Sequence, residues 1–169
     1  MKSETNKTVD RPEGFGGAVY SAASGNVGNS KFAIVVSTYH DEITGKLLQG
    51  ALATLKSEGV TDERIVVYWV PGAWEIPVVA ERVIHDFDAL IGLGVVIRGE
   101  TTHDQHINSS VSHCLGGLAI ETGKPVAFGL LTCNNIEQAQ ARSGGAVGNK
   151  GCESAAAVID VLKLFSQIN

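Results

Sequence analysis

Blocks of apolar residues alternate with amphipathic stretches along most of the chain. Four short runs, rich in β-branched residues, predict buried strands. They are Phe32–Ser37, Ile65–Val70, Ala89–Ile97 and Pro125–Leu131. Strands that are apolar throughout and alternate with helices are typical of a parallel sheet covered on both faces. We therefore expect an α/β fold, a three-layer αβα sandwich around a four-stranded parallel sheet.

Helices are expected wherever apolar residues recur at intervals of three or four. The pattern places them at about 43–55, 76–84, 107–118, 135–142 and from about 150 onward. Gly59 and Gly123 end the first and third helices. Asn134 or Asn135 caps the fourth, and Glu137 stands three residues after Asn134, as a capping-box partner does. A glycine-rich loop, 143–149, separates the last two helices. Cys114 is expected on the apolar face of the third.

The first thirty residues differ from the rest of the chain. They contain five glycines and many Ser, Thr and Asn, with little periodicity. This composition predicts a flexible arm over residues 1–30, which we expect to dock onto a neighbouring copy. Residues 31–169 then form one domain, since a single core commonly spans roughly 100–200 residues.

Composition narrows the possible partners. The net charge is −5 and no Lys/Arg run occurs, so nucleic acid and anionic membranes are poor partner candidates. No stretch approaches the ~20 apolar residues of a spanning helix, and the N-terminus lacks the layout of a signal peptide. We therefore expect a cytoplasmic protein. The three cysteines, an odd number without a CxxC motif, predict reduced thiols.

Chemically distinctive residues collect where each predicted strand ends. In open parallel sheets, ligands bind beyond these carboxyl ends. The four segments, which we call the rim segments, are 38–41, 71–75, 98–103 and 132–135. Together they bring aromatic, acidic, basic and imidazole groups to one edge of the sheet, where we expect a binding site.

The third of these segments leaves two interpretations open. Residues 99–102 precede a helix, so their amides and hydroxyls can face an anion. Taken alone, ordinary N-capping by Thr101 or Thr102 is the commoner arrangement. His103 opens the same helix, and it is either structural or a proton carrier for a substrate beside the anion.

Other residues near this edge also carry two interpretations. Tyr39 and Trp74 either stack on a flat heterocycle or pack at the rim. Glu75 complements a helix dipole or binds sugar hydroxyls. Arg142 is a normal helix-terminal cation, or it clamps phosphate together with Lys150.

A metal site is a further alternative. His103, His106 and His113 have spacings of three and seven, with Asp104 and Cys114 nearby. Such residues share a helix face and could bind zinc, as in a metal-dependent hydrolase. A solvated helix face is the commoner outcome. A non-catalytic flavin- or nucleotide-binding module is the second competing function, because it would use the same rim aromatics.

Six stretches, in one order along the chain, carry a resemblance to a known family. They are IVVSTYHDEITGKLLQGA, VPGAWEIP, DALIGLGVVIRGETTH, PVAFGLLT, EQAQAR and GNKGCESA. From Phe32 to the C-terminus the chain resembles the lumazine synthases. The resemblance implies a flavodoxin-like fold, a ring of five subunits with active sites between neighbours, and no metal or organic cofactor. It implies condensation of 5-amino-6-(D-ribitylamino)uracil with 3,4-dihydroxy-2-butanone 4-phosphate.

Site residues follow from the resemblance position by position. His103 matches the catalytic histidine, and Arg142 pairs the phosphate. The implied substrate-binding residues are Tyr39, His40, Ala73, Trp74, Glu75, Val95, Val96, Ile97, Glu100, Thr101, Phe128 and Lys150. Phe128, Arg142 and Lys150 match residues lent by the adjacent subunit.

The chain also departs from the family pattern. Tyr39 stands where Phe or Trp is usual, His40 replaces an Asn, residues 104–106 lack the usual aromatics, and Ala141 replaces an acidic residue. The turn 143–149 has no insertion, and in this family a short turn accompanies assembly of twelve pentamers. We therefore expect a hollow shell of sixty subunits, with riboflavin synthase as a possible partner.

Overall fold

The computed structural model describes residues 12–22 and 25–168. In chain order the elements are β1 (Phe32–Ser37), α1 (Asp41–Ser57), β2 (Ile65–Val70), α2 (Ile76–Val83), β3 (Ala89–Ile97), α3 (His103–Thr122), β4 (Val126–Cys133), α4 (Ile136–Arg142), β5 (Ser143–Gly145), β6 (Gly148–Asn149) and α5 (Lys150–Ile168). Single 3-10 turns occur at Asp62–Arg64, Ala73–Glu75 and Ile84–Asp86.

The main sheet is parallel, with strand order β2-β1-β3-β4. One face packs on α1, α4 and α5, through residues such as Leu47, Ala139 and Ile159. The other packs on α2 and α3, through residues such as Ile76 and Leu115. Since both faces are covered, β1 and β3 are buried almost throughout. The predicted three-layer, flavodoxin-like sandwich is confirmed.

The strands lie close to their predicted positions. Three of the four match at both ends, and β4 begins one residue later and ends two residues later than expected. Thr132 and Cys133 continue β4 because they pair with Val96 and Ile97 of β3. The apolar pattern did not predict this continuation, because Thr132 is polar and the extension depends on pairing with β3.

Glycine ends the first helix as predicted. Gly59 adopts a φ of 83°, in the left-handed region that a residue with a Cβ enters only at a cost. Its N–H donates to the Lys56 carbonyl at 3.0 Å, and the Val60 N–H donates to the Leu55 carbonyl at 3.2 Å. This pair of bonds is a Schellman motif, which satisfies the last carbonyls of α1.

The start of α4 and the segment after it differ in detail from the expectation. Asn135 is the cap, because its Oδ1 accepts from the Gln138 N–H at 3.0 Å. Gln138 reaches back toward the cap, and its Oε1 accepts from the N–H of Asn134, the residue before the cap, at 2.9 Å. The prediction of Glu137 as a capping-box partner of Asn134 was wrong, because Asn135 is the cap. Residues 143–149 form the antiparallel hairpin β5–β6 rather than an open loop.

Upstream of β1, the described residues contact their own chain. Residues 1–11, 23 and 24 lie outside the described part. Val27 is 2% exposed within the α1/α5 core, and the Gln167 side chain donates to the Ser21 carbonyl at 2.6 Å. Docking of residues 1–30 onto a neighbour stays a prediction. None of the helices described is both long and apolar enough to cross a bilayer.

The three cysteines occupy different environments. Cys133 is buried, and desolvation raises the pKa of its thiol, which Arg142 partly opposes. Cys114 is exposed, so its expected place on the apolar face of α3 was wrong. Val111, Leu115 and Leu118 provide that face, and Cys114 falls just outside it.

Candidate active site

A cavity of about 660 Å³ opens at the carboxyl ends of β1, β2 and β3. We call it the strand-end pocket. Its lining residues are Tyr39, His40, Gly72, Ala73, Trp74, Val95, Val96, Ile97, Gly99, His103, Ile107 and Ile136. Chain connections leave β1 and β3 toward opposite faces of the sheet, which makes this the topological switch point where such folds bind ligands.

The floor of the pocket is the end of β3, which extends beyond its pairing with β1. Their pairing reaches Val36 and Leu93, and β3 runs on to Ile97. On the other side, the N–H groups of Leu90 and Arg98 donate to carbonyls flanking and ending β4. Successive residues of a strand direct their N–H and C=O groups to opposite sides. Because Leu90 and Arg98 face β4, Ile97 directs its own N–H and C=O away from β4, into the space beyond the end of β1. These groups are available to the edge of a planar ligand.

The two rim aromatics project into solvent instead of packing. Tyr39 is 67% exposed and Trp74 is 57% exposed. The Tyr39 ring meets the His40 ring edge-on at 4.6 Å, and the Tyr39 N–H donates to the Pro71 carbonyl at 3.2 Å. Aromatic faces presented to a cavity favour stacking on a flat heterocycle over ordinary rim packing.

His40 turns the chain at the end of β1. Its φ of 58° and ψ of 52° lie in the left-handed region, which His, Asn and Asp enter more readily than other residues with a Cβ. The His40 carbonyl accepts from the N–H groups of Ile43 and Thr44 at 2.9 and 3.1 Å. The turn therefore starts α1 and places Tyr39 at the mouth of the pocket.

Glu75 shapes the second rim segment from beneath. Its Oε2 accepts from the Gly72 N–H at 2.9 Å. The carboxylate closes the turn that carries Ala73 and Trp74, and Glu75 itself does not line the cavity.

In the third rim segment, His103 is the titratable residue whose side chain belongs to the pocket lining. Its Nδ1 lies 2.8 Å from Thr101 Oγ1. The ring rests against Gly99, where a Cβ would come within 2.8 Å of Cε1. Glu100 and Thr101 are exposed and lie outside the lining. Thr102, at the N-cap position, makes no side-chain cap, so side-chain capping does not explain the threonines here.

A second group of expected residues lies elsewhere. Arg142 and Lys150 line a separate cavity of about 260 Å³ with Thr132 of β4 and Glu153. We call it the β4-side cavity. It shares no lining residue with the strand-end pocket. Phe128 is 36% exposed on β4, one of the two edge strands of the main sheet. One chain therefore does not bring Arg142, Lys150 and Phe128 to His103.

The histidines of α3 do not form the metal-ligand cluster considered as an alternative. Among residues 12–22 and 25–168, no group of three or more His, Cys, Asp or Glu side chains is placed to hold a metal ion. His106 and His113 are exposed, which agrees with a solvated helix face.

Four lining residues are absent from the predicted site residues: Gly72, Gly99, Ile107 and Ile136. Gly72 and Gly99 belonged to predicted strand-end segments, and Ile107 was assigned only to the third helix. Ile136 begins α4 directly after the fourth rim segment, and that position was a usable signal. Arg98 and Asn134, which share the rim, do not line the cavity.

Together, these groups suit a reaction without a covalent enzyme nucleophile. The pocket offers exposed aromatic faces, free strand-end peptides and two imidazoles beside helix starts, those of His40 and His103. That set can bind a planar heterocycle and move protons near an anionic group.

Comparison with known proteins identifies the family. Residues 29–166 match the model of the 6,7-dimethyl-8-ribityllumazine synthase family. A protein of Rhodopirellula baltica named 6,7-dimethyl-8-ribityllumazine synthase is 46% identical over 147 residues, covering 86% of this chain and 95% of that protein. The match includes all four rim segments. This chain belongs to the 6,7-dimethyl-8-ribityllumazine synthase family.

Proposed function

We propose that the chain is a transferase of riboflavin biosynthesis that condenses 5-amino-6-(D-ribitylamino)uracil with 3,4-dihydroxy-2-butanone 4-phosphate. The products are 6,7-dimethyl-8-ribityllumazine, phosphate and water. The observation that carries this proposal is the strand-end pocket, which unites Tyr39, Trp74, the strand-end peptides and His103 in a chain of this family.

The pocket suits the uracil substrate. Stacking on Tyr39 and hydrogen bonds to the peptide groups of Val95 and Ile97 fix the ring, while Val96 contributes its side chain to the wall. The turn 73–75 holds the ribityl chain. Glu75 acts here mainly by closing that turn through Gly72.

The reaction consists of proton transfers and eliminations. The substrate amine adds to the ketone and water leaves to give an imine. Phosphate is then eliminated, the chain tautomerises, and the ring closes with loss of a second water. His103 carries protons between these steps, and holding both substrates in register supplies much of the acceleration.

The phosphate needs positive charge that the strand-end pocket lacks. Its lining includes no Lys or Arg, whereas Arg142 and Lys150 line the β4-side cavity. We propose that a neighbouring subunit presents Arg142, Lys150 and Phe128 to the pocket. Glu100, Thr101 and the start of α3 bind the phosphate from the other side, with dipole and amides favouring the anion.

Assembly follows from a shared site. We propose rings of five subunits, with twelve rings closing into a hollow shell of sixty. The compact hairpin between α4 and α5, with strands of three and two residues, supports this proposal, because the resemblance links a short turn at this place with shell assembly. Light scattering and electron microscopy measure the particle, and a species of five or ten subunits at physiological pH would exclude the shell but not the enzyme.

The remaining proposals concern context. We propose that residues 1–30 act as an arm on the domain 31–169, that the enzyme works in the cytoplasm, and that riboflavin synthase is a partner. None of these affects the catalytic proposal.

The decisive experiment mixes both substrates with the purified protein and follows lumazine fluorescence. We expect product and stoichiometric inorganic phosphate, unchanged by chelators. A protein that binds flavin but forms no lumazine would be a binding module. Activity lost with a chelator and restored by zinc would indicate the metal-dependent alternative.

A further inference from the structure

Thr101 contacts His103 in a way that phosphate binding alone does not require. Thr101 Oγ1 and His103 Nδ1 are 2.8 Å apart. The other ring nitrogen, Nε2, has no hydrogen-bond partner within residues 12–22 and 25–168. A threonine hydroxyl can either donate to Nδ1 or accept from Nδ1–H, so the direction of this bond and the nitrogen that carries the proton in the neutral ring are set together.

We propose that Thr101 is a positioning residue for His103, a role that rests on the proposed function. Its Oγ1 accepts from Nδ1–H, so that Nε2 is the atom that exchanges protons with the substrate. The hydroxyl keeps its own proton and can donate it to the substrate phosphate. One side chain thereby links the bound phosphate to the orientation of the imidazole.

This arrangement suits a proton carrier. Nδ1–H stays bonded to Thr101 whether Nε2 is free or protonated, so the ring need not turn during the reaction. A neutral hydroxyl holds the ring without the fixed negative charge that a carboxylate would add beside the phosphate. Misplacement of a reacting group by about 1 Å can cost roughly 10²-fold in rate.

Gly99 provides the space that the imidazole ring of His103 occupies. A Cβ at this position would lie 2.8 Å from His103 Cε1, closer than ordinary contact allows. Gly99 therefore lets the imidazole lie against the backbone while Thr101 fixes its rotation. Both residues precede α3, so the short segment 99–101 sets the geometry of the proton carrier.

The test compares Thr101→Val, which removes the hydroxyl at similar volume, with Thr101→Ser, which keeps it. Magic-angle-spinning NMR on sedimented protein with ¹⁵N-labelled histidine reports the tautomer directly. His103→Gln identifies the His103 signals among the five histidines. We expect Nδ1–H in the neutral wild-type ring and in Thr101→Ser, and a shift toward Nε2–H in Thr101→Val.

Kinetics separate positioning from plain phosphate binding. We expect Thr101→Val to lower kcat roughly 10- to 100-fold, by more than it raises KM for the butanone phosphate. Thr101→Ser should recover most of the loss, and Gly99→Ala should lower kcat with the hydroxyl intact. Thermal unfolding confirms that each variant is folded.

Two results would overturn the proposal. One is an Nε2–H tautomer in the wild-type protein. The other is a Thr101→Val variant with unchanged kcat and a raised KM, which would make Thr101 a phosphate ligand only. The NMR result needs no turnover, so a wild-type protein without synthase activity would defeat the proposed function and still leave the tautomer measured.

Discussion

The strand-end pocket and the β4-side cavity are built in different ways. The pocket draws its lining from rim segments at the ends of several strands, and local bonds hold those segments in place. The Glu75 carboxylate closes one turn, and the Thr101 hydroxyl meets the imidazole of His103. In the β4-side cavity, Lys150 pairs with Glu153 at 3.0 Å, and both side chains are roughly half exposed.

This difference shows what one chain can supply. The pocket already has surfaces for a heterocycle and a group for proton transfer. The cations are beside the edge strand, where they face outward. Exposed ion pairs such as Lys150–Glu153 contribute little stability, about 0–1 kcal/mol, so Lys150 can exchange its partner for a phosphate at small cost. The proposed enzyme therefore needs a second copy to combine the two regions.

Removal of the imidazole tests the pocket and has the largest expected effect. We expect His103→Ala to lower kcat roughly 10²- to 10⁴-fold, the range for a placed proton carrier. Affinity for inorganic phosphate, measured by calorimetry, should change little. His113→Ala is the matched control, because His113 is exposed on the same helix. Unchanged turnover in His103→Ala would remove this residue from the mechanism.

Mixed rings test whether the two regions meet between subunits. His103→Ala and Arg142→Ala should each be nearly inactive alone. When equal amounts are refolded together, about one interface in four combines an intact His103 with an intact Arg142 from the neighbour. We therefore expect recovery of about a quarter of wild-type activity. If both residues acted within one chain, mixing would restore nothing.

The fold was predictable because its signals are local. Apolar runs placed three of the four strands of the main sheet correctly, and Gly59 marked a helix end through its own backbone conformation. Errors arose where a partner decides the outcome. Thr132 and Cys133 extend β4 only because β3 continues beside them. Gln138, rather than Glu137, completes the cap of α4 because Asn135 is the cap.

The edge of the sheet at which the site lies was predictable. Three of the four rim segments follow strands and line the pocket, and parallel strands end together, so their convergence could be read from the chain. The fourth begins inside β4, and none of its residues lines the pocket. The contact between Thr101 and His103 could not, because it depends on side-chain rotation over Gly99. The separation of Arg142 from the pocket depends on the path of β4 and α4, and it was implied only by the resemblance, which assigns Arg142 to the site of the adjacent subunit.

Asn149 tests how firmly the β4-side cavity is held. Its Oδ1 accepts from the Gly151 and Cys152 N–H groups at 2.8 and 3.3 Å, which caps α5. Its Nδ2 donates to the Lys46 carbonyl at 2.9 Å. We expect Asn149→Ala to lower the free energy of unfolding by roughly 1–2 kcal/mol, measured by urea denaturation of matched assemblies.

Asn149→Asp is the control for that variant. It retains the capping oxygen and adds a charge that the start of α5 favours, while a carboxylate oxygen replaces the donor to the Lys46 carbonyl and repels it. Its destabilisation should be the smaller of the two, because the cap remains. Equal losses would mean that the bond to α1, and not the cap, holds the hairpin beside Lys150.

The smallest expected effect concerns His40, at the rim of the strand-end pocket. Its φ of 58° is disfavoured for β-branched residues and accepted by Asn. We expect His40→Asn to keep the wild-type unfolding midpoint within error, and His40→Val to cost about 1 kcal/mol. Activity separates the backbone from the imidazole, because His40→Asn keeps the turn and removes the ring that meets Tyr39. Full activity in His40→Asn would show that the left-handed turn is what the pocket requires. A large loss of activity in a stable His40→Asn would instead make the His40 ring part of the binding surface.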